Sequence, residues 1–277
     1  MKPLRRTCRG KVEPVKILLC TIAYCKNLLE HALSAARELG FDGVEIWGRE
    51  PHVPEKFDEN RMRAIVKLIE ASGVTPHVFG SYLRFGATRN DGDVELSDVL
   101  HLAHWLKTPI VRVWASDVPS AKATDEIWER AVNEAREASI RADKLGMTLV
   151  VEMHGGTLAD TSAGALRLIE EVGMPNLRLN FQIASHNDGQ TPEERLQAVL
   201  PWVSHVHAQN IAYLPSAENE KLKRSPLSAG VASYPRLLGI LKDAGYQGHI
   251  AVEFAYDEGA GKAASLASDL QFLRALI

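Results

Sequence analysis

Eight times along its 277 residues, a short apolar run rich in β-branched residues gives way to a longer amphipathic stretch. The runs are 16–23, 43–47, 74–80, 108–115, 147–153, 176–181, 203–208 and 249–254. The stretches after them are 28–39, 59–71, 94–105, 125–145, 162–172, 192–200, 234–244 and 262–276. The first kind of segment suits pleated, buried backbone; the second suits a helix with one apolar face. Glycines follow the helical pattern at Gly40, Gly73, Gly146, Gly173 and Gly245, as expected where a helix stops in the left-handed region. Strands alternating with helices pair in parallel through right-handed crossovers. A barrel of eight such units takes roughly 250 residues, and no Pro/Ser-rich linker interrupts them. The expectation is therefore an α/β protein, a single (β/α)8 TIM barrel over 15–277, with a flexible basic extension at 1–14. An open doubly wound sheet would carry a glycine-rich phosphate loop after its first strand, and TIAYCKNLL has none.

Charge and cysteine content narrow the partners. With 32 basic and 35 acidic residues the formal net charge is −3, which gives no electrostatic pull toward nucleic acid or an anionic membrane. The first apolar run is too short for a signal-peptide core, and no segment has the length of a membrane-spanning helix. Cys8, Cys20 and Cys25 have no zinc-type pairing and suit free thiols in a reducing compartment, so a cytoplasmic protein is expected. Homo-oligomerisation is compatible with this composition.

Four of the later strands each end in a group able to bind a divalent metal: Glu152 in VVEMHGG, Gln182 in LNFQIASH, His207 in VSHVHAQN and Glu253 in IAVEFAY. Their odd-offset neighbours Val151, Phe181, Val206 and Val252 are apolar, as required if the candidates face into the barrel. The C-terminal rim is where such barrels carry their sites. Two carboxylates, an amide oxygen and an imidazole suit one hard to borderline divalent ion: Mn, Mg, Co or Zn. Glu152 and Glu253 are also the candidate catalytic groups, because a carboxylate can ligate through one oxygen and accept a proton on the other. Glu45, Trp47, His77, Trp114, His154 and His186 are read as substrate-binding residues at or just beyond strand ends. The connection 211–231, with Lys221, Lys223 and Arg224, is long enough for a lid or plain solvated surface. Gly259, Gly261 and Lys262 precede the last helix and could cradle a phosphate.

In their order and spacing, FDGVEIWG, VVEMHGGT, LNFQIASH, HVHAQN and GYQGHIAVEF resemble the xylose-isomerase-like barrels of sugar isomerases and epimerases. That group also includes hydroxypyruvate isomerase, inosose dehydratase and endonuclease-IV-type enzymes. The resemblance implies one divalent ion held by Glu152, Gln182, His207 and Glu253. It singles out His207 over His205, which is read as a deeper, packed barrel residue. Relatives usually carry Asp where this chain has Gln182, so the protein's negative charge at the ion falls by one. The spacing to His186 is one residue longer than the family pattern.

The resemblance implies an isomerase or epimerase of a small sugar or sugar-like ketone, working through a metal-stabilised enediolate. The alternative is a metal-dependent lyase or dehydratase acting on a keto-sugar, keto-glycoside or keto-inositol, which shares the first proton abstraction. Endonuclease-type DNA repair needs more His and Asp ligands than are present here, and non-catalytic sugar binding is the remaining class.

Overall fold

The computed structural model describes residues 14–88, 94–183, 189–214 and 221–277. In order the elements are β1 (Lys16–Cys20), α1 (Leu29–Leu39), β2 (Val44–Trp47), α2 (Glu59–Ser72), β3 (Pro76–Phe85) and α3 (Leu96–Trp105). Next come β4 (Ile110–Ala115), α4 (Asp125–Asp143), β5 (Thr148–Glu152), α5 (Ser162–Val172), β6 (Leu177–Gln182), α6 (Pro192–Val199) and β7 (Val203–Ala208). A ribbon of β8 (Asn210–Leu214) and β9 (Lys221–Ser225) precedes α7 (Tyr234–Asp243), β10 (His249–Val252) and α8 (Lys262–Arg274). Eight strands close a barrel in the order β1-β10-β7-β6-β5-β4-β3-β2, all paired in parallel. No helix among the described residues is long and apolar enough to cross a membrane.

Local chemistry explains the boundaries. Thr191 and Glu194 form a reciprocal capping box at the start of α6, with Pro192 in its first turn. Asp58 accepts a hydrogen bond from the Arg61 amide and starts α2, a cap whose loss costs about 1 kcal/mol. All five glycines expected to stop helices have positive φ, and Gly40 returns its amide to the Ala36 and Arg37 carbonyls. Leu29, Ala32, Leu33 and Ala36 recur at helical spacing and form the buried stripe of α1. Truncating a fully buried residue such as Leu33 to Ala costs roughly 2–5 kcal/mol.

Alternation across the strands creates two compartments. In β1, Ile17 and Leu19 join the layer between sheet and helices, while Leu18 and Cys20 cluster with Val78 and Ala251. Other interior positions are buried but polar: Glu45, Arg112, Asn180 and His205. A barrel interior is ordinarily filled by branched aliphatic residues. Here the polar tier lies directly beneath the C-terminal rim.

One expectation is corrected. The third strand does not stop at residue 80 but runs on through Phe85, so His77 is its second residue, beside the ring of His249 at the N-terminal mouth. That places it at the wrong end for a substrate at the C-terminal rim. A cavity of about 640 Å³ at this same mouth is lined in part by Arg178, Ser204, Gln247 and His249. Along the connection 211–231, β8 and β9 pair antiparallel from Asn210↔Ser225 to Leu214↔Lys221.

Burial, with the nearby charges of His205, His77 and Lys16, pushes His249 down to about 3. An unfolded histidine titrates near about 6.5, so between these values the unfolded chain binds the extra proton. This contribution is complete above the unfolded value and is lost as pH falls. We predict that the Tm difference between a His249→Asn variant and the parent moves in the variant's favour from pH 7 to pH 5. A difference independent of pH would contradict it.

Candidate metal centre and active site

At the end of β7 the imidazole of His207 is buried, and among the described residues its Nδ1 has no hydrogen-bond partner. That nitrogen lies 3.5 Å from Glu253 Oε1, just beyond β10, and 3.9 Å from Glu152 Oε1, at the end of β5. Ligand atoms of the three residues all fall within 4.8 Å of one another. Two carboxylate oxygens and an imidazole lone pair, brought together with little access to water, fit a divalent ion. The orphaned Nδ1 decides the fit, because an unpaired buried nitrogen is costly unless something occupies its lone pair.

The cluster is anchored from below. His207 Nε2 donates to Glu45 Oε2 at 2.9 Å, and His205 Nε2 donates to the same oxygen at 2.8 Å. Burial alone would raise the Glu45 carboxyl; the charge of His207 and the hydrogen bond from His205 instead hold it well below the usual carboxylate range. Arg112 in β4 pairs its Nε with Glu152 Oε2 at 3.0 Å and donates from Nη1 to the Ser81 carbonyl at 2.6 Å. Burial works against the Arg112 charge, but Glu152, Tyr82 and Glu45 together outweigh it and hold the guanidinium above its ordinary range. An ion pair this buried is costly to break from either side.

Two amides tie the carboxylates together. Gln182 Nε2 donates to Glu152 Oε1 at 2.8 Å, while Gln209 Nε2 donates to Gln182 Oε1 at 2.6 Å and to Glu253 Oε2 at 2.7 Å. Gln209 is itself held by Tyr234, whose hydroxyl accepts from the Gln209 amide at 2.9 Å and donates to its carbonyl at 2.8 Å. Burial pushes the Glu253 carboxyl up to about 7 against the opposing charge of His207, and the Glu152 charge adds to the rise. Burial would lower His207, but the charges of Glu45 and Glu253 bring it up to about 9. A metal and a proton compete for that lone pair.

One wall of the site is aromatic. Trp47 Nε1 donates to the Tyr82 hydroxyl at 2.8 Å, Tyr82 stacks toward Trp114 with centroids 6.4 Å apart, and Trp114 meets His154 at 4.6 Å. His154 Nδ1 is 2.8 Å from the Gly155 carbonyl, which can only accept, so the proton sits on Nδ1. The Arg49 guanidinium lies 4.2 Å over Tyr82, and Arg84 lies 4.8 Å over Trp114.

The sequence-based candidates therefore fall into distinct places. Glu152, Gln182, His207 and Glu253 converge, and Trp47, Trp114 and His154 share one wall. Glu45 is not at the rim; it is fully buried beneath His207, out of reach of a substrate. His77 belongs to the far mouth. His186 lies outside the described residues. The segment before α8 does not suit a phosphate: a Cβ on Gly261 would meet the Asp257 carboxylate at 2.0 Å, which opposes an anion there, and Lys262 Nζ already donates to the Ala23 carbonyl. On β9, the Arg224 guanidinium lies 3.5 Å over the Phe254 ring.

Sequence reasoning missed Arg112, Tyr82 and Gln209. Arg112 had a signal, since a charge between Val111 and Val113 in a strand covered on both sides must find a partner. Tyr82 was hidden by ending β3 early, and nothing in the sequence marks Gln209.

A family model described as "Xylose isomerase-like TIM barrel" matches residues 33–276. A 3-dehydroshikimate dehydratase of Bacillus anthracis is 25% identical over 245 residues, covering 83% of this chain and 88% of the relative. A fructoselysine 3-epimerase of Escherichia coli O157:H7 is 22% identical over 255 residues, covering 86% and 90%. In fold, the chain is similar to a xylose isomerase-like barrel protein of Mycobacterium smegmatis in complex with magnesium, with TM-score 0.75, 18% identity and coverage of 95% and 96%.

Gln182 offers a test of the ligand set. Gln182→Glu keeps the length of the side chain and replaces a neutral oxygen with a charged one, so it should tighten Mn²⁺ binding in a chelator competition. Equal or weaker affinity would mean that position 182 does not reach the ion.

Proposed function

The chain belongs to the xylose isomerase-like TIM barrel family, and from that premise we propose a divalent-metal-dependent dehydratase acting on a small, polyhydroxylated cyclic ketone. The reading is carried by Glu152 Oε1 and Glu253 Oε1 converging on Nδ1 of His207, which has no hydrogen-bond partner among the described residues. Glu152, His207 and Glu253, with Gln182 beside them, would hold the ion. Once bound, the ion supplies the positive charge that acidifies the C–H bond next to a carbonyl.

The two glutamates are not equivalent. Both Glu152 oxygens are engaged, one by Arg112 and one by Gln182. That leaves Glu152 as a fixed ligand. Glu253 meets one amide, from Gln209, and its raised carboxyl suits proton transfer near neutral pH. A single base without an arginine partner favours chemistry on one face of the substrate. Glu253 takes the proton α to the carbonyl and hands it to a hydroxyl leaving the β carbon, so that water departs and a double bond forms. The wall of Trp47, Tyr82, Trp114 and His154 suits the flat face of a ring. The 25% identical relative named a 3-dehydroshikimate dehydratase supports the same choice.

A second reading has its own support, in relatives named 3-epimerases at 22% and 24% identity. Epimerisation returns the proton to the opposite face, and Glu152 would then have to leave Arg112. Same-face isomerisation needs no such change.

The test is proton NMR in D₂O of the Mn²⁺- or Mg²⁺-loaded protein with 3-dehydroshikimate, and with fructoselysine. Loss of water from the first supports dehydration; epimer formation from the second would move the assignment to the second reading. Glu253→Gln should lower turnover by about 10²–10⁴-fold with the ion retained, the usual loss on removing a positioned base. Near-parent turnover would show that Glu253 moves no proton.

A further inference from the structure

His205 and His207 are two residues apart on one strand, so both rings point into the barrel, one tier above the other, with centroids 5.2 Å apart. From across the barrel, on β2, Glu45 reaches both with the same oxygen, at 2.8 Å and 2.9 Å. An ionised carboxylate can only accept, so each of these contacts requires the imidazole hydrogen on Nε2. The other tautomer of His207 would turn the Nε2 lone pair against a carboxylate lone pair, in a site where neither is solvated. A ring whose Nε2 keeps its hydrogen has its lone pair on Nδ1, the atom that faces Glu152 and Glu253.

We infer that Glu45 is a positioning residue that holds His207 in the Nε2–H tautomer and so presents Nδ1 to a divalent ion. The inference rests on the reading of His207 as a ligand. His205 belongs to the same device, because it holds Glu45 from the tier below and leaves the upper contact to His207. Room for the arrangement is made on β3. A Cβ on Gly80 would sit 2.8 Å from Glu45 Oε1 and 3.3 Å from Arg112 Nη2, so any side chain there pushes on both anchoring groups at once. A buried Glu45 could instead serve only as a counter-charge for the two rings. Such a role would not depend on which nitrogen of His207 carries the hydrogen.

That difference is measurable. Histidine-¹⁵N-labelled protein, dialysed against a chelator, is examined by NMR at about pH 10, above the range in which imidazoles usually titrate, and then titrated with Zn²⁺. The His207 signals are assigned by their loss in His207→Gln. The parent should show a pyrrole-like Nε2 and a pyridine-like Nδ1, with Zn²⁺ moving the Nδ1 resonance. Glu45→Gln, whose amide can accept or donate, should give a mixture of tautomers and weaken Zn²⁺ binding by about 10–100-fold, the usual cost of losing a partner behind a metal ligand. Gly80→Ala keeps the charge but displaces it, and should give a smaller change in the same direction. A parent with the hydrogen on Nδ1 would overturn the inference. So would a Glu45→Gln protein with the parent's tautomer and a Zn²⁺ affinity within about twofold. An Nε2–H parent that takes up no Zn²⁺ would leave the tautomer assignment standing and sink the metal reading instead.

Discussion

Charge compensation inside a closed barrel governs this molecule. Glu45, Arg112, Glu152 and His207 are all buried, and each would be expensive in isolation. They are tolerable because Glu45 receives two imidazole hydrogens while Arg112 neutralises the back of Glu152. The contacts join strands on different sides of the barrel, so polar satisfaction and strand register reinforce one another. Gly80↔Arg112 and Gln182↔His207 are neighbouring pairs in the sheet, and a one-residue slip would turn these side chains out of the interior.

The same network divides the labour at the rim. Arg112 and Gln182 occupy both oxygens of Glu152, whereas Glu253 retains a group that burial keeps ready to take up a proton. The chain of contacts from Tyr234 through Gln209 to Gln182 and Glu253 couples the base of the β8–β9 ribbon to the reacting side. That ribbon is fastened where it leaves the barrel: Asn210 Nδ2 donates to the Leu227 and Ala232 carbonyls, and its Oδ1 accepts from the Ala232 amide. Rigid support so close to Glu253 is what a proton-transfer group requires.

The barrel was readable because its two periods are written plainly. KILLC and VSHVHA are buried on both faces, and helices such as α1 carry a single apolar stripe. The four converging groups at the ends of β5, β6 and β7 and beyond β10 were readable from parity and strand position, with the choice of His207 over His205 supplied by the family resemblance. Partnerships across the barrel were not. Glu45 and His207 are 162 residues apart, and parity says which face a side chain takes but not what it meets there. For that reason Glu45 looked like a rim residue. His77 was misplaced for a different reason: the Gly80–Ser81 step resembles a strand end, yet Ser81 donates to the Arg112 carbonyl and the strand runs on to Phe85. The register of β3 against β4 shifts at that step, an irregularity that no residue pattern announced.

The central claim is that the lone pair of His207 Nδ1 and the two glutamates share one divalent ion. A crystal of the protein soaked in Mn²⁺, with an anomalous difference map, tests it most directly. The account predicts one strong peak about 2.0–2.4 Å from His207 Nδ1 and from an oxygen of each of Glu152 and Glu253, the range of metal–nitrogen and metal–oxygen bonds. A peak on the Glu45 side of the His207 ring, or a saturated soak with no peak among these three residues, would contradict it.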